Sequence, residues 1–113
     1  MISEKTMQAV RDFVGERNWD QFHTPENLAK SISIEAGELL ECYQWDATGE
    51  EADHEHVEEE LADVLIYCIQ LSQKLGLDCD RIIMSKLRKN AAKYPVKLAK
   101  DSKEKYTELR KQK

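Results

Sequence analysis

Four acidic residues fall in two pairs with the same internal spacing, Glu35-Ala-Gly-Glu38 and Glu60-Leu-Ala-Asp63. On a helix, residues three apart are surface neighbours, so each pair turns two carboxylates to one side. Four carboxylates gathered inside a helical bundle repel one another unless a divalent cation neutralises them. Hard oxygen ligands of this kind suit Mg²⁺, with Mn²⁺ as the alternative. One or two such ions leave coordination positions for phosphate oxygens and a water. The cation lowers that water's pKa and neutralises charge building on phosphorus, and a nearby carboxylate takes the proton. The expected chemistry is hydrolysis of a phosphoanhydride. Spacing alone leaves solvated helix faces open, because Glu38-x-x-Glu41 and Glu55-x-x-Glu58 also fit it by chance.

The elements that must carry these acids are helical, and the expected fold is an all-α, four-helix bundle in a single domain. The first helix runs from about Ser3 to Arg17, with an apolar stripe of Met7, Val10, Phe13 and Val14. A loop, Asn18 to Thr24, carries two aromatics and a histidine. Thr24-Pro25 starts a second helix that continues to about Trp45, because Thr caps well and Pro suits the first helical position. A third helix runs from about Glu55 to Leu75 and ends at Gly76. Asp78 caps a fourth, 79–93, which stops near Tyr94-Pro95. The remainder reads as polar and extended, with a short helix near 102–111.

Helical geometry places the acids. At 100° per residue, Leu28, Ser31, Ile32, Leu39 and Cys42 fall within about 60° of Glu35, and Glu38 lies about 60° to one side. On the third helix, Asp63, Val64, Tyr67 and Leu71 share a sector of about 60° with Glu60. That helix is apolar nearly all round from Leu61 to Ile69, the pattern of a central buried helix. Acids among core residues are costly unless compensated, which favours a cation over solvated faces. Glu41 and Glu58 lie off these sectors and read as solvent-facing or supporting.

Other residues could complete a nucleotide site. Trp19, His23, Trp45 and Tyr67 can form an aromatic slot, although a lone Trp in a small bundle is more often core. Stacking tolerates any base, so choice would fall to polar neighbours such as Gln21 or Asn90. On the fourth helix Lys86, Arg88, Lys89 and Lys93 can offset phosphate charge or simply make a solvated basic face. His54 and His56 match no zinc spacing and read as exposed.

The net charge of −5 is uneven, with eight Lys/Arg and three Asp/Glu from residue 93 onward. This basic tail reads as a non-specific nucleic-acid contact, as a cover for a triphosphate or as a solvated end, and the acidic body argues against duplex DNA as the main ligand. No apolar run approaches the roughly 18 residues that span a membrane. No signal-peptide pattern opens the chain, and Cys42, Cys68 and Cys79 show no paired spacing, so reduced, buried thiols in the cytoplasm are expected.

These residues resemble the all-α nucleoside triphosphate pyrophosphohydrolases, the MazG-like superfamily, which carry Glu-x-x-Glu, a variable gap, then Glu-x-x-Asp. Here 21 residues separate Glu38 from Glu60. The chain looks most like the dCTP pyrophosphatase branch. The likeness includes Arg17-Asn-Trp-Asp-Gln-Phe-His23, Tyr43-Gln-Trp45, Glu59 to Tyr67, Ser85 to Asn90, Lys93-Tyr-Pro95 and Lys105 to Leu109. Its 46–58 loop is shorter and more acidic than in animal members. The resemblance implies cleavage between the α and β phosphates, yielding a monophosphate and pyrophosphate, with Mg²⁺. It implies Glu35, Glu38, Glu60 and Asp63 as metal ligands and Trp19, His23, Trp45 and Tyr67 around the base and sugar. Lys86, Asn90, Lys93 and Tyr94 would approach the phosphates or sugar. It also implies a homo-oligomer, a dimer or a tetramer built from dimers, with each pocket completed by a neighbouring subunit. Two readings of other classes stand beside it. A carboxylate-bridged di-iron bundle would want Glu-x-x-His pairs, which are lacking here. A non-enzymatic helical interaction module leaves the core-facing acids unexplained.

Overall fold

Each of the four long helices begins where a side chain satisfies one of the first orphaned N–H groups. In this computed structural model, which describes residues 2–45, 48–50 and 52–101, every described element is helical. Helices α1 (Glu4–Glu16), α2 (Pro25–Glu41), α3 (His54–Lys74) and α4 (Cys79–Lys93) start after Ser3, Thr24, Asp53 and Asp78. In each case the capping oxygen accepts from a backbone N–H two or three residues on, at 3.1–3.3 Å. The chain forms two compact units, a first ending at Leu77 and a second beginning at Asp78.

In the first unit α3 is the spine. It packs most extensively along α2 and also takes α1. Val10 and Val14 of α1, Leu28 of α2 and Ile69 of α3 are buried, Leu28 at 1% exposure. Gln73 ties α3 to α1 by donating from Nε2 to the Met7 carbonyl at 3.0 Å. The inward side of α2 is made by Leu28, Ser31, Ile32, Glu35, Leu39 and Cys42, the sector that 100° spacing assigns to it.

Several expectations need correction. Helix α2 ends at Glu41, not Trp45. From Cys42 to Gln44 each N–H donates to a carbonyl three residues back, so the helix tightens into turns and Trp45 leaves the helical track. Helix α3 is buried toward its C-terminal half, at Ile69, Gln70 and Ser72, but Leu61, Leu65 and Ile66 are exposed. Phe13 flanks the core stripe and is nearly half exposed, and Cys68 is exposed rather than buried. The 18–24 loop contains a one-turn 3-10 helix at Asp20–Phe22. After α4 the chain is not extended: Pro95 leads into a four-residue helix, α5 (Val96–Ala99). The expected helix near 102–111 lies outside the described residues.

The link from α1 into the aromatic loop is a tight cap. The Asn18 N–H donates to the Gly15 carbonyl and the Trp19 N–H to the Val14 carbonyl, both at 3.1 Å, closing a Schellman-type end. This geometry holds Asn18 at φ +53°, a left-handed value that asparagine tolerates and β-branched residues resist. Gly76 does the same for α3 at φ +67°. Lys74 then anchors the loop through Asp20 at 3.2 Å, and Asn27 Nδ2 donates to the Phe22 carbonyl at 3.1 Å. Asn18→Val should therefore destabilise the protein by about 1–2 kcal/mol, while Asn18→Gly stays within about 0.5 kcal/mol. Thermal melting of both variants is the check.

Candidate active site

The two acidic pairs meet where α2 packs on α3. Carboxylate oxygens of Glu35, Glu38 and Glu60 lie within 4.8 Å of one another. Glu35 and Glu60 are partly buried, whereas Glu38 is exposed. Oε2 of Glu35 and Oε2 of Glu60 are each buried with no hydrogen-bond partner among the described residues. Asp63 stands beside this trio. It is exposed, and its charge acts on Glu35, Glu60 and Tyr67.

Crowding is written into the protonation of these groups. Burial, then a hydrogen bond with Glu38, then the charges of Glu38, Asp63 and Glu60, raise the Glu35 pKa from an ordinary 4.5 to about 7. Glu60 is raised by burial, by a hydrogen bond with Glu38 and by the charges of Glu38 and Asp63, against a lowering by His56. Oε1 of Glu60 lies 3.7 Å from Nε2 of His56, one helical turn earlier. His56 is thus exposed as expected, yet it touches the acid cluster. The Tyr67 hydroxyl is pushed up by burial and then by Glu35, Asp63 and Glu38, which keeps it a proton donor.

The fit of a hard divalent cation can be judged from this geometry. Three carboxylates at mutual ligand distance, two of them with orphaned buried oxygens, match the donors that Mg²⁺ or Mn²⁺ takes. The same groups are uncomfortable alone, since like charges this close cannot all ionise at little cost.

Two cavities flank the cluster. The first, about 470 Å³, is lined by Phe13, Trp19, His23, Asp63, Tyr67 and Gln70 together with Thr6, Ala9 and Val10 of α1 and Ile66 of α3. Its wall is an aromatic series: Phe13 meets Trp19 edge-on at 5.7 Å, and Trp19 meets His23 at 6.3 Å. The Arg17 guanidinium lies 3.8 Å from the Phe13 ring centre and braces that wall. The second, about 440 Å³, is lined by Glu38, Glu41, Cys42, Trp45, Asp53, His56 and Glu60. Asp63 therefore joins the carboxylates to the first cavity, and Glu38 and Glu60 open on the second.

Of the residues expected at the site, the structure brings Trp19, His23, Tyr67 and Asp63 to one cavity. Trp45 is not with them. It is 89% exposed and borders the second cavity, beside Glu38 and Glu60. Gln21 does not line the aromatic cavity; its Nε2 donates to the Asn18 carbonyl at 3.0 Å. Lys86, Asn90 and Lys93 recur at intervals of four and three, so they share one stripe of α4, and Tyr94 is its C-cap. All four belong to the second unit. Sequence reasoning missed Phe13, Gln70 and the His56 contact. Phe13 and His56 carried a signal: the first lies a short loop from Trp19, and the second is spaced by four from Glu60.

Comparison with known proteins finds one family. A sequence profile of the MazG-like family matches residues 30–109. Human dCTP pyrophosphatase 1 is 38% identical over 117 aligned residues, spanning 94% of this chain and 69% of the relative. Its rat counterpart is also 38% identical, with the same coverage. Among solved structures, a pyrophosphatase from Archaeoglobus fulgidus is similar with a TM-score of 0.77 and 41% identity, covering 81% of this chain and 91% of that one.

The raised Glu35 pKa has a measurable consequence for stability. Between 4.5 and about 7 the folded state holds a proton that the unfolded state has lost. Stability without a divalent cation is therefore full below the lower value and falls as pH rises through the upper one. The melting temperature in EDTA should drop from about pH 5 to about pH 8, and excess Mg²⁺ should restore it most at the alkaline end. Scanning calorimetry across this range, with and without Mg²⁺, tests this. A profile without slope in EDTA means the carboxylates are not held together.

Proposed function

Because this chain belongs to the MazG-like family, we propose that the crowded carboxylates and the aromatic cavity beside them are two halves of one nucleotide site. The protein is a nucleoside triphosphate pyrophosphohydrolase. Our reading is that it cleaves dCTP, or a modified deoxycytidine triphosphate, between the α and β phosphates. The products are the monophosphate and pyrophosphate, and the role is cleansing of the nucleotide pool. The observation that carries this is the convergence of Glu35, Glu38 and Glu60, with two orphaned oxygens, next to a cavity walled by Trp19, His23 and Tyr67.

Each residue takes a part that its position supports. Glu35, Glu38, Glu60 and Asp63 would hold Mg²⁺, with Mn²⁺ as substitute. When bound, that ion supplies a Lewis acid for the phosphates and a more acidic water. Trp19 and His23 enclose the base, and Tyr67, kept protonated, donates to the sugar or phosphate. Trp45 stands on the opposite flank, where its exposed ring can cover a bound nucleotide or pack on a neighbouring subunit. Lys86, Asn90, Lys93 and Tyr94 would meet the phosphates or sugar. The family match runs from residue 30 to 109, across both units, which supports reading them as one catalytic domain.

A homo-oligomer, a dimer or a dimer of dimers, completes the proposal. Its support is the apolar surface that α2 and α3 leave uncovered, including Ile34, Leu40, Leu61 and Leu65. Among the described residues no helix is long and apolar enough to cross a membrane. We assign the protein to the cytoplasm, in line with a soluble nucleotide substrate.

The decisive experiment incubates the protein and Mg²⁺ with canonical and modified NTPs and dNTPs and separates the products. Monophosphate and pyrophosphate are expected, with deoxycytidine triphosphates fastest. Release of orthophosphate, or no turnover of any nucleotide, overturns the reading. Glu38→Gln and Asp63→Asn should each lower kcat by roughly a hundredfold or more, since even groups that only support metal ligands cost 10–100-fold. Helix content should be unchanged by circular dichroism. The metal-free melting temperature of Glu38→Gln should rise, because one crowded charge is gone.

A further inference from the structure

The aromatic cavity has a polar group that stacking does not use. Gln70 sits on α3 one turn beyond Tyr67 and two beyond Asp63, at the i, i+4, i+7 spacing that puts the three on one side of the helix. It lines the cavity with Trp19, His23 and Tyr67, and it is 8% exposed. Its Oε1 is buried without a hydrogen-bond partner among the described residues, and Nε2 is not orphaned in this way. Its neighbours in the lining from α1 are Thr6, Ala9, Val10 and Phe13, none of which donates to that oxygen. A buried acceptor is retained at a cost unless something donates to it.

We propose that Gln70 reads the edge of the base, its side-chain carbonyl oxygen accepting from an exocyclic amine such as the 4-amino group of cytosine. The inference rests on the cavity taking a nucleoside. Aromatic walls bind every base alike, because each has a stacking face. Selection then falls to a hydrogen bond that one base satisfies and another leaves unmade, which is how a buried polar group discriminates most strongly. An orphaned acceptor selects a donor, so an amino base is favoured over a 4-keto base, which presents an acceptor at that position. Gln70 is a specificity residue, two helical turns along α3 from Asp63. The amide also borders a cavity on the far side of His23, lined by Arg11, Asp20 and Lys74. A purely structural role there would touch all substrates equally.

The test compares dCTP with the triphosphate of the pyrimidin-2-one deoxynucleoside, which lacks only the 4-amino group, and with dUTP. The wild type should favour dCTP over both by at least about tenfold in kcat/KM. In Gln70→Leu and the near-isosteric Gln70→Met, dCTP should lose about tenfold or more. That loss should appear in KM with kcat little changed, because the contact exists before and during reaction. The pyrimidinone nucleotide should stay within about twofold, so the preference collapses. Circular dichroism and melting of both variants confirm that they fold. An active wild type that does not discriminate, or variants that slow all three nucleotides equally, overturn the role of Gln70 alone. A wild type inactive on every triphosphate overturns the nucleotide reading and this inference with it.

Discussion

The meeting of like charges where α2 packs on α3 is the constraint on which the first unit is built. Glu35 and Glu60 are turned inward by the same faces that carry Leu28, Val64 and Leu71. Packing the two helices therefore brings carboxylates to within ligand distance of one another. The fold cannot bury its apolar sector without also compressing these acids. Protonation relieves part of the strain, as the raised Glu35 shows, and a divalent cation would relieve more. Function and instability thus arise from one packing decision, as is common at sites that hold a charge for catalysis.

Everything around the cluster serves orientation. The Schellman-type end at Asn18 turns the chain so that Trp19 faces back over α1, and the Lys74–Asp20 pair fixes the loop to the spine. Exposed ion pairs of this sort add little stability by themselves. Their value here is geometric: the Trp19 and His23 rings come to the cavity that Asp63 borders. Asp63 is the hinge of the arrangement, since it borders the aromatic cavity and its charge is felt by Glu35 and Glu60.

The parts legible in the sequence were those governed by helical periodicity and caps. Ser3, Thr24 and Asp78 mark their helix starts correctly, and angular spacing alone puts Glu35 and Glu60 among core residues, whereas the sequence does not single out the Asp53 cap of α3. What was illegible depends on tertiary context. The tightening of the backbone after Glu41 has no strong local signal, so Trp45 was placed on a helix that had already ended. Nothing local to position 70 marks its glutamine as buried. Its burial follows from α1 crossing α3, a contact fixed by pairs such as Gln73 with Met7. Pro95 reads as a stop, yet proline also serves a helix start, and a short helix follows it.

The apolar pattern of α3 ties these strands together. Its sequence is that of a helix buried on all sides, while Leu61, Leu65 and Ile66 of the single chain face outward. With so few fully buried apolar side chains among the described residues, the chain has little stability to set against a repelling acid cluster. Covering that surface with a second copy would bury the missing apolar area next to Glu60 and Asp63. Lowered solvent access there strengthens the interaction of carboxylates with any cation they hold. Association and cation binding would then reinforce each other, because each stabilises the helix packing that the other requires. In this view the exposed leucines of α3 belong to the energetics of the site as much as the acids beside them.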